Sequence, residues 1–429
     1  MRFRRANNTH RALSVIAAIV MLVVVKAVMW PPAVSAEKQT ELPDDQCVKC
    51  HQEIEIMPEG LVPHDVHLQD GLSCAGCHGG DPASDDEDAA MSPEAGFVGV
   101  PSKSEISAFC GKCHSNIDFM RGYQPRIPTD QVAQYETSEH GKALAEGDVK
   151  VAGCVDCHTS HGILPARDSR SSVHPLNVPH TCKRCHSDAE YMKEYGISTD
   201  QFEEYAKSVH GVALLENQDT GLPACNDCHG NHGAAPPQVA SIRHVCGHCH
   251  VNNMRYFEGS TMAVAFKANG FHACEECHGN HGVQKTTDDM VGVGEESTCT
   301  GCHDDGDAGY RAAEAIRAHL GELVSAYDEA DARREEVHRK GMDDVEIEFL
   351  LQESHQSLIQ ARTLVHTFDP EKVGEMTAGG VAKARTALEL AVEQVEEYDF
   401  RRRGFGLATI FITVLIVALY LTIRQMEAK

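Results

Sequence analysis

The stretch Cys154-Val155-Asp156-Cys157-His158-Thr159-Ser160-His161-Gly162 recurs as Cys225-Asn226-Asp227-Cys228-His229-Gly230-Asn231-His232-Gly233. It recurs again as Cys274-Glu275-Glu276-Cys277-His278-Gly279-Asn280-His281-Gly282. Its first half, Cys-x-x-Cys-His, is present nine times and uses all 18 cysteines. The other six copies are Cys47, Cys50 and His51; Cys74, Cys77 and His78; Cys110, Cys113 and His114; Cys182, Cys185 and His186; Cys246, Cys249 and His250; and Cys299, Cys302 and His303. A redox dithiol or a zinc site does not require His directly after every second Cys. A disulfide scaffold does not keep one spacing nine times. Two thiols that add to the vinyl groups of one haem, followed by the histidine that ligates its iron, do require this pattern. The expected cofactor is haem c, covalently attached at nine places.

Working outward, the motifs fall into repeated units. One unit reads Tyr135-x-x-Ser138-Glu139-His140-Gly141, then the Cys154 motif, then Pro179-His180-Thr181 before Cys182. The next reads Tyr205-x-x-Ser208-Val209-His210-Gly211, then the Cys225 motif, then Arg243-His244-Val245 before Cys246. A third has Ser260-Thr261-Met262-Ala263 before the Cys274 and Cys299 motifs, and a looser early one has His67 before the Cys74 and Cys110 motifs. The haems thus count as one, at Cys47, plus four pairs. From Cys47 to His303 there are fewer than thirty residues per motif, too few for an ordinary aliphatic core. Porphyrin faces must serve as core, and the expected structure is mainly α, with much irregular loop and few strands.

The repeats select the distal ligands. Of 26 histidines nine belong to motifs, which leaves enough for nine distal positions. His140 and His210 are equivalent. His161, His232 and His281 each lie three residues after a proximal histidine, too close to reach the opposite face of the same iron but able to link to a neighbouring haem. His180 and His244 each stand two residues before a motif, and His67 precedes Cys74 in the loose unit. These eight are the distal candidates; His64, His174, His248 and His272 are weaker ones. The third unit departs from its siblings at Met262, where they have His140 and His210. Three alternatives follow: Met262 is a thioether ligand that raises one haem's potential, a histidine from elsewhere closes that iron, or Met262 only packs apolar surface and the iron stays open.

The chain carries a formal net charge of −26, which excludes a nucleic-acid partner and favours partners with basic docking patches. The acidic run Asp81–Asp88 reads as a mobile loop. Arg2, Arg4, Arg5 and Arg11 precede the apolar run Ala12–Val25, and Val34-Ser35-Ala36 fits a signal-peptidase site. Residues 1–36 are therefore a signal peptide or a retained N-terminal anchor, and the motif region, 37–306, is exported. A second apolar run, 405–423, has no charge and suits one transmembrane helix. With the haems outside, Arg401-Arg402-Arg403 falls on the outer side, against the positive-inside tendency, where it meets lipid headgroups or an acidic partner.

Residues 307–400 carry no motif and turn helical. Ile316, Leu320, Leu323 and Tyr327 follow a helical period over Ala312–Lys340. Gly341 stops that helix, and Asp343 or Asp344 caps a second that runs to Thr367 before Asp369-Pro370. A third follows from Pro370 to Phe400, loosened at Gly379-Gly380, and continues into the membrane helix. The expectation is an antiparallel helical arm standing on the membrane. Its four histidines, His319, His338, His355 and His366, are candidates to close haems such as the ninth, at His303.

The motif spacing and the Ser-x-His-Gly and CxxCH-x-x-His-Gly segments resemble the multihaem cytochromes c, including the cytochrome c3-like, NapC/NrfH-like quinol dehydrogenase and octahaem hydroxylamine oxidoreductase-like groups. The resemblance covers residues 47 to 303; the helical arm is similar to the long C-terminal helices of the octahaem group. Nine motifs and a C-terminal anchor depart from the NapC/NrfH pattern. Neither Tyr310 nor Tyr327 matches the octahaem group's haem-crosslinking tyrosine. No motif has Lys in place of His, the usual mark of a cytochrome c nitrite reductase's catalytic haem. The resemblance implies electron transport: a periplasmic cytochrome tethered to the bacterial inner membrane. It would carry electrons between a membrane oxidoreductase, quinol-oxidising or respiratory, or the quinol pool and periplasmic or outer-membrane acceptors. The alternative is a haem enzyme with one open iron, acting as a quinol dehydrogenase or on a small nitrogen or sulfur compound, alone or within a larger respiratory complex.

Overall fold

The computed structural model describes residues 45–56, 64–236 and 242–428; the signal or anchor segment expected at 1–36 lies outside them. Among the described residues the chain is mostly helical and forms no strand. The motifs explain much of this. Residues i, i+3 and i+4 share one face of a helical turn, so a helical Cys-x-x-Cys-His presents both sulfurs and the imidazole together. Such turns are found at Cys74–His78, Cys154–His158 and Cys225–His229, and at the end of Ile106–His114 and Val178–His186. Several start on acidic caps: Asp45 accepts from Cys47 N at 2.8 Å, Asp156 from Gly153 N at 2.7 Å and Asp227 from Ala224 N at 2.7 Å. The turn is then broken by the next residue. Gly230 and Gly279 take φ of +85° and +72°, and Thr159 takes +66° in the same place despite its branched side chain.

The described chain clusters into two compact units. The first is formed by the described residues up to Thr181 with His232–Ala234; the second by Cys182–Asn231 with the described residues from Ala235 onward. The first holds the four motifs from Cys47 to His158, the second the five from Cys182 to His303 and the arm. Within the first, the acidic run is ordered rather than loose: Asp81 accepts from Ala83 N at 3.0 Å, and Asp86 caps the short helix Glu87–Ala90 through Ala89 N at 2.9 Å.

The arm consists of three helices, Ala308–Arg339, Val345–Leu364 and Pro370–Glu427. One cluster joins Ile316, Leu320 and Leu323 to Leu358, Ala361, Val373 and Val381; a second joins Ala330 and Val337 to Ile347, Leu351, Ala384, Ala387 and Ala391. This register makes the second helix antiparallel to the first and third. The expected loosening at Gly379-Gly380 does not occur. A side chain at Gly380 would meet Leu323 Cδ1 at 2.8 Å and Ser357 Cβ at 2.9 Å, and Ser354 Oγ donates to its carbonyl at 3.0 Å. Glycine serves there for close helix approach. The third helix runs on without a break through 405–423, whose side chains are exposed, and is long and apolar enough to cross a membrane.

Polar contacts define the two ends of the arm. At one end, Arg362 makes a two-pronged pair with Asp288 at 2.8 Å, Arg317 meets Asp289 at 2.7 Å, and the first helix starts beside the Cys299 motif. At the other, Lys340 lies over the Tyr398 ring at 4.5 Å and reaches Asp399 at 3.8 Å, just before the membrane-length segment.

Candidate functional site

The Ser-x-His-Gly segments build one device twice. Ser138 is buried; its hydroxyl accepts from Gly141 N at 2.9 Å and donates to Tyr135 O at 2.6 Å. Ser208 does the same with Gly211 N at 3.0 Å and Tyr205 O at 2.7 Å. A Cβ on Gly141 or Gly211 would run into the carbonyl of Tyr135 or Tyr205, so the glycine after each histidine is a packing requirement. Ser260 repeats the cap on Ala263 N at 3.2 Å, ahead of the helix Thr261–Asn269 that carries the partly buried Met262. In the loose unit Asp65 takes the serine's place, accepting from His67 N at 2.8 Å and facing His67 Nδ1 at 3.1 Å.

The second half of each motif clasps this device. Val66 N donates to Ile163 O at 2.9 Å, Glu139 N to Ala234 O at 3.1 Å and Val209 N to Val283 O at 2.9 Å. The donor precedes His67, His140 or His210, and the acceptor lies two residues beyond His161, His232 or His281. The three clasps show that His67 is the equivalent of His140 and His210.

These contacts bring imidazoles together in pairs. His67 faces His114 with ring centroids 6.1 Å apart, His78 faces His161 at 6.1 Å, and His158 faces His232 at 6.1 Å. His210 faces His250 at 6.3 Å, His229 faces His281 at 5.9 Å, and His278 faces His366 at 6.2 Å. Two imidazoles bound to one metal at about 2.0–2.1 Å per nitrogen, with roughly 1 Å more to each ring centre, sit about 6 Å apart. The donor set therefore fits one iron between each pair. Where an acceptor lies beside Nδ1, as Gly99 O does for His78 at 2.9 Å and Ala235 O for His229 at 3.3 Å, that nitrogen donates and Nε2 is left for the metal. Burial, and after it the charges of neighbouring histidines, lowers the pKa of His114, His158 and His278. Neutral imidazole is the ligating form.

The thiols line up in chain order. In the first unit, burial, then the thiol's own hydrogen bond to the Asp45 carboxylate and that carboxylate's charge, and then the nearby Cys74 raise Cys47 to about 12. Burial and then Cys113 raise Cys77, and Cys110 shares a hydrogen bond with Cys154. In the second, Cys182 shares a hydrogen bond with Cys225. Burial and then Cys246 raise Cys228; Cys246 shares a hydrogen bond with Cys274; and burial and then Cys299 raise Cys277. Within each unit, every motif lies beside the next one in sequence.

Residues 66–187 match the cytochrome c3 family. No curated protein and no solved structure matches the chain. The matched segment contains four of the motifs, from Cys74 to His186. Together with the 18 cysteines it is consistent with a multihaem c-type cytochrome domain carrying covalent haem c, and the long apolar helix supports membrane association.

Other candidates are placed differently. His180 and His244 are exposed on their helices. His174 Nδ1 accepts from Leu176 N at 3.3 Å, and His272 pairs with Glu275. Among the described residues no second imidazole stands against His51 or His303. His303 instead faces Asp307 at 3.2 Å, the residue that caps the first arm helix through Tyr310 N at 2.7 Å. Its ring lies where a side chain on Gly309 would sit. Sequence reading passed over Asp65, Asp307 and Gly309; an acidic cap two residues before His67 and another four after His303 were the available signals.

Proposed function

We propose that the chain is a membrane-tethered nine-haem c-type cytochrome that transports electrons. In this reading residues 1–36 are a signal or anchor, 37–306 the haem domain in the periplasm of a bacterium, 307–400 a helical arm, and 405–423 the helix in the inner membrane. Haem c supplies one-electron chemistry at its iron when bound. The chain's own part is to attach it through the 18 cysteines, ligate it through the nine motif histidines, and close the second face with His67, His140, His161, His210, His232 and His281. His180 and His244, being exposed, fit such a role less well. The observation that carries this reading is the set of imidazole pairs at iron-bridging spacing. An iron closed on both faces exchanges electrons and does not bind substrate. The in-order proximity of successive motifs within each unit suits a relay.

The arm bears on the partner. From Pro370 to Phe405 the third helix rises about 50 Å at about 1.5 Å per residue. The Cys274 and Cys299 motifs lie at the end of the arm far from the membrane segment. A quinol dissolved in the bilayer is therefore remote from them, and the partner proposed is a redox protein with its own centre outside the bilayer, docking through basic groups on this acidic chain.

A second reading is favoured by one observation. His303 has no imidazole against it among the described residues, and the repeat position that would supply one is Met262. The ninth haem is then thioether-ligated or open, and an open iron would support enzymatic reduction or oxidation of a small nitrogen or sulfur compound. Low-temperature EPR of the oxidised protein, with and without nitrite, hydroxylamine or cyanide, separates the readings. Low-spin signals that ignore these ligands support the relay; a high-spin signal that shifts with them moves the enzyme ahead.

A further inference from the structure

The pairs obey an order that stops short of the eighth motif. His161 serves His78, His232 serves His158 and His281 serves His229, so each distal imidazole comes from the following copy of CxxCH-x-x-His-Gly. His278 belongs to the last such copy, and no further one exists to serve it. The ring that faces His278 at 6.2 Å, nearly parallel at 24°, is that of His366, from the turn between the second and third arm helices. We propose that His366 is the distal ligand of the eighth haem, so that the arm is part of the redox site as well as a tether. This rests on the reading that the Cys274 motif carries haem.

His366 is built for the task. Its Nδ1 donates to Thr363 O at 3.0 Å, leaving Nε2 for the iron. It sits on the 3-10 turn Val365–Thr367, whose first residue Val365 and the preceding Leu364 pack on the first arm cluster. Thr367 Oγ1 ties the turn to Leu364 O at 2.7 Å, and Asp369 caps the next helix through Glu371 N at 3.1 Å. The other arm histidines are engaged elsewhere. His338 pairs with Asp344 at 3.0 Å, His355 lies against the Tyr327 ring at 5.7 Å, and His319 sits over Gly374 inside the arm. His250, which also lies near His366, is already faced by His210 at 6.3 Å.

The test compares the full-length protein with H366A and H366M by EPR, a potentiometric titration, and mass mapping of the Cys274–His278 peptide. In H366A about one-ninth of the low-spin signal should become high-spin, with haem still attached at Cys274 and Cys277. In H366M that signal should return to low spin, and one potential should rise, as thioether for imidazole requires. If H366A lowers thermal stability but leaves the low-spin signal whole, with haem present on the peptide, the ligand assignment is overturned and His366 only packs the arm. If the peptide carries no haem, the nine-haem reading fails at this motif and the assignment falls with it.

Discussion

The motif region and the arm solve the same folding problem with different materials. The two continuous clusters of buried aliphatic side chains among the described residues belong to the arm, where Leu320, Leu323, Val337 and Val373 are fully buried. In the motif region buried apolar residues such as Val48, Met120, Leu144 and Leu214 are scattered among buried capping serines, Ser138, Ser208 and Ser260. One segment holds together through its own hydrocarbon. The other has polar joints and few buried apolar side chains, and its paired imidazoles and lined-up thiols are consistent with haem as part of its core.

The largest expected effect breaks the comparison outright. If the chain is made without haem attachment, the motif region should lose its fold while the arm keeps its helices. Limited proteolysis should then leave a protected fragment near residues 307–400, with helical circular dichroism to match. A protease-resistant motif region in the haem-free chain would show that it has a protein core after all. Next in size, Leu320→Ala should destabilise the arm by about 2–5 kcal/mol, the usual cost of a cavity at a fully buried leucine. The cluster around that side chain is formed by arm residues, with Val291 packed on it from the motif region, so denaturant unfolding followed at 222 nm should shift while the haem absorption changes by no more than the share of the one haem that His366 would close; a matching change in the whole haem band would mean that arm and haems unfold as one unit.

The same contrast explains what could be read in advance. The arm follows hydrophobic period and capping rules, so its helices were legible to within a few residues. The one misreading, Gly379-Gly380, arose because a glycine that loosens a helix and a glycine that admits Leu323 and Ser357 look alike without the neighbours. In the motif region the repeated helical CxxCH turns were legible from spacing, and so was the equivalence of His140 with His210. The pairing was not, because it depends on clasps such as Val209 to Val283 that join residues far apart in sequence. His366 was visible as an odd histidine in an acidic arm, yet the fact that it meets His278 rather than His303 follows from how the arm folds back.

Protons should distinguish the regions more gently. Burial, ahead of any charge, holds His114, His158, His210, His232, His278, His281 and His366 below their usual pKa. The unfolded chain therefore takes up protons below about pH 6.5 that the folded chain refuses, and stability falls as pH drops below that value. Carboxylates such as Asp65, whose pKa is lowered by hydrogen bonds from His67 and Ile163 against the effect of burial, act in a lower window. Between pH 7.5 and 5 the denaturant midpoint of the motif region, which carries six of these seven histidines, should decline more than that of the arm, which carries His366. Equal declines would remove the imidazoles as the cause.

The smallest effect tests whether the polar joints hold the ligands or merely decorate the turn. Ser208→Ala removes a cap of about 1 kcal/mol and leaves the Tyr205 carbonyl without its 2.7 Å donor. Gly211 still packs against Tyr205, so the helix should survive, but His210 loses the anchor two residues before it. The expected result is a modest loss of stability together with a broadened low-spin signal from the iron it is proposed to share with His250. Ser354→Ala is the matched control, since that hydroxyl bonds only the Gly380 carbonyl within the arm and should cost similar stability with no spectral change. A spectral change in both variants, or in neither, would mean that the caps do not position the histidines. The clasp from Val209 to Val283 would then be left to hold His210 in place.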